Sequence, residues 1–208
     1  MIPVETIVIF LAATVTLAFV PGPDNFFILT QSALRGRNAG LLVTVGLCTG
    51  LLIHTAAVAF GVASIFQTSA LAFNLLKIVG AMYLLYLAWH AFRTGATKVD
   101  ESSDLRMTSR SLYYRGVIMN ITNPKVAIFF LAFLPQFTDP TKGSITIQMM
   151  MLGGIFIIAT LLIFSTIAWS ASFLGEWLKK SKKAHLLINR VAGVVFIGLA
   201  VRLVISER

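Results

Sequence analysis

The chain has one cysteine, Cys48, and it lies in an apolar run. A disulfide framework, a thiol relay and a cysteine-based metal site within one chain are therefore excluded. Charge is scarce too. Asp, Glu, Lys and Arg make up 12% of the 208 residues, about half of the ~25% usual in a soluble domain. No Walker loop is present, so this chain carries no ATP-driven engine. His, Cys and carboxylates form no group with metal-ligand spacing, and no nucleophile, base and orienter stand in a usable pattern. The sequence therefore reads as that of a non-enzyme without a cofactor or metal. The opening residues, MIPVE, lack a basic n-region, and the apolar stretch that follows ends in PGP rather than in a small-residue cleavage site. That stretch reads as a first membrane span and not as a secretory signal.

What the chain has is apolar length. Residues of apolar type make up 57% of it, in six segments at about 2–34, 39–66, 70–93, 112–137, 145–174 and 186–205. Several exceed the ~20 residues that cross a bilayer, so the expectation is an all-α integral membrane protein with six transmembrane helices. The formal net charge of +9 sits in loops, which suits the cytoplasmic face of a membrane protein better than nucleic acid. Arg35 and Arg37 follow the first segment, Arg93, Lys98, Arg106, Arg110 and Arg115 the third, and Lys179, Lys180, Lys182 and Lys183 the fifth. The positive-inside rule puts these odd-numbered loops in the cytoplasm and both termini outside.

The chain divides into two halves, residues 1–93 and 112–208, joined by a polar cytoplasmic linker over 94–111 with Asp100, Glu101 and Asp104. Residues 77–93 align with 189–205: Val79 meets Val191, Gly80-Ala81 meets Ala192-Gly193, and Leu87-Ala88 meets Leu199-Ala200. Each stretch closes a half of three helices. Three is odd, so the second half enters the membrane from the opposite side, giving two inverted three-helix repeats in a single transporter domain.

Two segments are interrupted at proline motifs, the first at Pro21-Gly22-Pro23 and the fourth at Asn123-Pro124. Matching Pro23 to Pro124 sets Asp24 against Lys125, the one carboxylate and the one base deep within segments. About twelve residues follow each proline before its segment ends, or ~18 Å of helix, so each break falls near the middle of the ~30 Å hydrocarbon core. A proline frees carbonyls of the preceding turn, and the half-helix after it exposes N–H groups at a positive dipole end. Such groups are tolerated in a membrane where they line a cavity, and together they suit a zwitterion. Asp24 could instead only cap its half-helix, or pair with Lys125. Pro21, Gly22, Pro23, Asp24, Asn25, Asn120, Asn123, Pro124 and Lys125 are the candidate substrate-binding residues, with Thr122 beside them. Asp24 and His54 are the candidate proton-coupling residues, since His54 falls mid-span in the second segment and titrates near neutrality; a satisfied core histidine is the competing reading. Gly46-x-x-x-Gly50 and Gly153-Gly154 are read as sites of close helix approach, and Gln31 and Gln148 as interhelical hydrogen-bonding glue.

PGPDNFFILTQSALRGRNAGLLVTVGLCTG at 21–50 and NPKVAIFFLAFLPQF at 123–137 resemble the two hallmark stretches of the LysE/RhtB family of bacterial amino-acid exporters. The resemblance extends over essentially the whole chain. It implies an inner-membrane secondary transporter that exports amino acids or close derivatives by proton antiport, with both proline breaks as its transport core. Pro21, Gly22, Pro23, Asp24 and Asn25 match the first motif, and Asn123, Pro124 and Lys125 the second. Within the family's range, a single deep carboxylate favours neutral substrates such as homoserine, threonine or leucine over basic ones. Partners are then the small-molecule substrate, protons and membrane lipid, with room for a homo-oligomer. A metal-ion or other small-solute exporter of related architecture, and a non-transporting membrane enzyme or assembly subunit, are the competing classes.

Overall fold

A computed structural model describes residues 2–20, 22–62, 70–93, 107–171 and 182–205, and these are helical with no strand among them. The first segment forms α1 (Val4–Phe19) and α2 (Pro23–Arg35), bent by 60° at the break. Helix α3 (Arg37–Ala56) runs on through a π-helical stretch, Ala57–Val62. Helix α4 (Ala70–Arg93) ends the first half. The fourth segment forms α5 (Ser109–Ile121) and α6 (Pro124–Ile128), bent by 49°, and α6 continues through π-helical and 3-10 turns to Phe137. Helices α7 (Ile145–Trp169) and α8 (Lys182–Ile205) follow.

Local chemistry sets these limits. Pro23 and Pro124 each stand in the first turn of a half-helix, where a missing N–H costs nothing. Thr108 starts α5 three residues before the apolar segment, because its hydroxyl accepts from the Ser111 N–H at 3.2 Å. The linker is therefore helical from Ser109, while 94–106 lies outside the described residues. Gly36, at φ 83°, makes the turn between α2 and α3, a conformation that suits glycine. Asp139 caps the 3-10 turn Pro140–Lys142. The Thr141 hydroxyl and N–H donate to its carboxylate, at 2.6 and 2.9 Å, and hold its pKa below the usual range. Gln148 ties the same turn to α7 through the Asp139 and Gly143 carbonyls, so it braces a loop rather than bridging two spans.

Arg37–Gly61 and Ile145–Trp169 are each long and apolar enough to cross a membrane, and the two bent pairs qualify if each is one span. Large apolar side chains such as Leu52, Ile158, Leu162 and Val194 point outward. That is the expected surface of a multi-pass membrane protein, whose solvent on that side is lipid. Inside, α3 packs on α5 and α7, α1 on α7, and α4 on α8.

The α3–α5 crossing is close because glycines line it. A Cβ at Gly46 would lie 2.2 Å from the Tyr113 carbonyl oxygen, and one at Gly116 would lie 2.5 Å from that of Val43. Two apolar clusters form the core. One is rich in phenylalanine: Phe10, Phe129, Phe130, Phe133, Phe137 and Phe156 make ring contacts at centroid distances of 4.8 to 6.4 Å. The other joins Phe27, Ile28, Val43, Leu47, Leu112 and Phe164.

Candidate functional site

The two breaks meet where these clusters join. In α1 the carbonyls of Leu17 and Phe19 would accept from residues 21 and 23, but both are prolines and have no N–H to give. Lys125, from the fourth segment, fills part of that gap. Its ammonium donates to the Leu17 carbonyl at 3.4 Å and the Val20 carbonyl at 3.3 Å. It stands 3.8 Å from Asp24 Oδ1. Both side chains are buried, Asp24 at 2% and Lys125 at 7% exposure. Taking two charges out of water is costly, so each depends on the other and on the carbonyls around it. Asn25 completes the break: its Nδ2 donates to the Ala18 carbonyl at 2.7 Å.

The second break is satisfied in a matching way. Pro124 deprives the Asn120 carbonyl of its helical donor. The Asn123 N–H reaches that oxygen at 3.1 Å, and His54 Nε2 lies 3.3 Å from it. The Asn123 side chain caps α6 by accepting from the Lys125 N–H at 3.0 Å. Capping is thus the work of Asn123. The N-cap of α2 is Gly22, which has no side chain to cap with, and Asp24 Oδ1 accepts no hydrogen bond.

A small cavity of about 20 Å³ opens at this junction, room for about one water. Its lining is polar at Asp24, Asn120, Lys125 and Thr160, and apolar at Leu17, Ala18, Leu51, Val126, Phe156 and Phe164. Asp24 Oδ1, Asn120 Oδ1 and Thr160 Oγ1 are buried there without a hydrogen-bond partner. Unpaired buried polar atoms are expensive and call for a ligand or water. Gly22 is the floor beneath the charges, since a Cβ there would lie 2.5 Å from Asp24 Oδ1 and 3.1 Å from Lys125 Nζ. Gly50 does the same for Asn120, whose Oδ1 would be 2.6 Å from an added Cβ.

A sequence model of the LysE-type translocators matches residues 15–207, which takes in both breaks, the end of α1 and every described helix after it. The chain belongs to that family. Among similar proteins, the leucine efflux protein of Klebsiella pneumoniae subsp. pneumoniae is 30% identical over 195 residues, covering 93% of this chain and 92% of that one. The leucine efflux proteins of Salmonella typhimurium and Salmonella typhi are 29% identical over the same shares. No solved structure matches the chain.

Within this LysE-family fold, Gly22, Asp24, Asn25, Asn120, Asn123 and Lys125 gather at one place, with Pro23 and Pro124 opening the half-helices beside them. Pro21 lies outside the described residues. His54 is set back from the cavity wall and touches it through Asn120. Thr160 is the residue that sequence reading missed, although it is the one polar side chain in the run Ile155–Phe164. The apolar lining had no such signal, because Leu51, Phe156 and Phe164 look like any other core residue in a chain this apolar.

Proposed function

We propose that this chain is a secondary transporter that exports neutral amino acids or close derivatives across the inner membrane, with leucine the first candidate and threonine and homoserine next. The observation that carries this reading is the cavity itself. It is lined by a carboxylate, an ammonium and unpaired hydrogen-bonding groups together with aliphatic and aromatic side chains. An amino-acid zwitterion with an apolar side chain carries matching groups of both kinds. The names of the similar leucine efflux proteins support the same substrate. Proton exchange is assigned to Asp24, the carboxylate in the cavity lining, with His54 reaching the same lining through the Asn120 carbonyl. A proton and a substrate ammonium both neutralise Asp24, so one displaces the other, and that competition is the antiport.

Two inverted repeats support alternating access. Exchanging the halves maps each contacting pair of segments onto another contacting pair: the second with the fourth onto the fifth with the first, and the third with the fourth onto the sixth with the first. Aligned positions are buried alike, Leu84 with Phe196 and Ala88 with Ala200. Six spans with cytoplasmic odd-numbered loops fit the stacking of Arg37 on Trp169, at 5.5 Å. That contact joins the start of α3, just after the first segment, to the end of α7 in the fifth on one side.

Purified protein in vesicles loaded with labelled leucine is the test. Leucine, threonine or homoserine should exchange across the membrane, and an imposed pH gradient should drive uphill movement. A membrane-impermeant thiol reagent, applied to whole cells, should label a cysteine placed at either terminus. Absence of flux for all three amino acids would remove the reading, and flux indifferent to the pH gradient would remove the antiport.

A further inference from the structure

We infer that Lys125 is the resident occupant of the substrate-ammonium position, and that a substrate displaces it only by bringing both an ammonium and a carboxylate. The inference rests on the amino-acid reading above. Its ground is the origin of Lys125's partners. The Leu17 and Val20 carbonyls and Asp24 all belong to the first break, while Lys125 comes from the second. They form a receptor for an –NH₃⁺ group, and an α-ammonium presents the same three donors.

The fit of the occupant is loose. Contacts of 3.3 and 3.4 Å are beyond the usual 2.7–3.2 Å range, and at 3.8 Å the carboxylate is paired by charge alone. Asp24 Oδ1 remains open to a donor that approaches better. Space points the same way. A cavity of about 20 Å³ admits no amino acid unless its lining moves, and Lys125 is part of that lining.

Charge then decides what can evict it. A displaced Lys125 is still buried, and a buried ammonium without a counter-charge is heavily penalised. A zwitterion solves this by giving its ammonium to Asp24 and the carbonyls and its carboxylate to Lys125, so one ion pair becomes two. An amine without a carboxylate strands Lys125. A diamino acid adds a second ammonium, and no other carboxylate lines the cavity among the described residues.

The experiment compares competition by leucine and by leucinamide, which keeps the ammonium and lacks the carboxylate, against labelled leucine in vesicles. With the unaltered protein, leucinamide should compete at least tenfold more weakly than leucine. In Lys125→Met the receptor is vacant, so leucinamide should gain affinity and leucine should lose its advantage. A merely structural role would weaken both ligands together, and that result overturns the inference. An unchanged leucine-to-leucinamide ratio overturns it as well. Should Lys125→Met fail to accumulate, Lys125→Gln, which keeps a donor but no charge, makes the same comparison. Leucinamide equal to leucine in the unaltered protein would overturn the exchange without any variant. If the unaltered protein handles no amino acid, the functional reading falls first; normal leucine exchange with an unchanged ratio removes the Lys125 role alone.

Discussion

At the scale of the residue, the site is built from compensations for missing backbone donors. The prolines interrupt the end of α1, where a lysine donates to the Leu17 and Val20 carbonyls and an asparagine to that of Ala18. One proline takes the helical donor from the Asn120 carbonyl, and the Asn123 N–H and His54 stand in for it. Gly22 lets this happen, because any side chain there meets the Asp24 carboxylate within 2.5 Å. Gly22→Ala should therefore push Asp24 from its position and lower leucine exchange at least about tenfold, the equivalent of ~1.4 kcal/mol, while the protein still reaches the membrane. Exchange rates normalised to protein amount check this; an unimpaired rate would show that the floor is dispensable. Asp24 and Lys125 were legible in the sequence because charge deep in an apolar segment is conspicuous. Whether they faced each other was not, since that depends on how two distant breaks are superposed.

At the scale of the element, the broken helices were legible and their finer shape was not. Proline marks a break directly, so the interruptions in the first and fourth segments appear at the expected residues. Nothing comparable marks the π-helical turns at Ala57–Val62 and Phe129–Phe133, of which the second lies among the packed phenylalanines of the core. Nor does all-round hydrophobicity say which face of α3 meets α5. The GxxxG spacing gave a hint, and the crossing uses both of its glycines together with Gly116. Enlarging that contact forces the helices apart and drags Asn120 with them. Gly116→Val should lower stability by ~1–3 kcal/mol, the usual penalty of overpacking. A drop in the thermal midpoint in detergent, together with weaker leucine exchange, is the expected outcome. An unchanged midpoint would mean that the helices do not rely on this approach.

At the scale of the whole molecule, one contact ties the two halves together at their centre. Lys125 of the second half is held by Asp24, Leu17 and Val20 of the first. Three cations contend for Asp24: the lysine, the substrate ammonium and a proton. On this account the lysine locks the halves, a zwitterion that gives Lys125 a carboxylate releases them to rock, and a proton competes with the substrate ammonium for Asp24. The central claim is that Asp24 receives the substrate ammonium. Leucine binding to Asp24→Asn, measured by calorimetry on folded protein beside the unaltered chain, tests it most directly. Truncating one partner of a buried charge pair typically costs ~2–5 kcal/mol, so the account predicts affinity at least about tenfold weaker. Affinity within about twofold of the unaltered protein, under 0.5 kcal/mol, would contradict it.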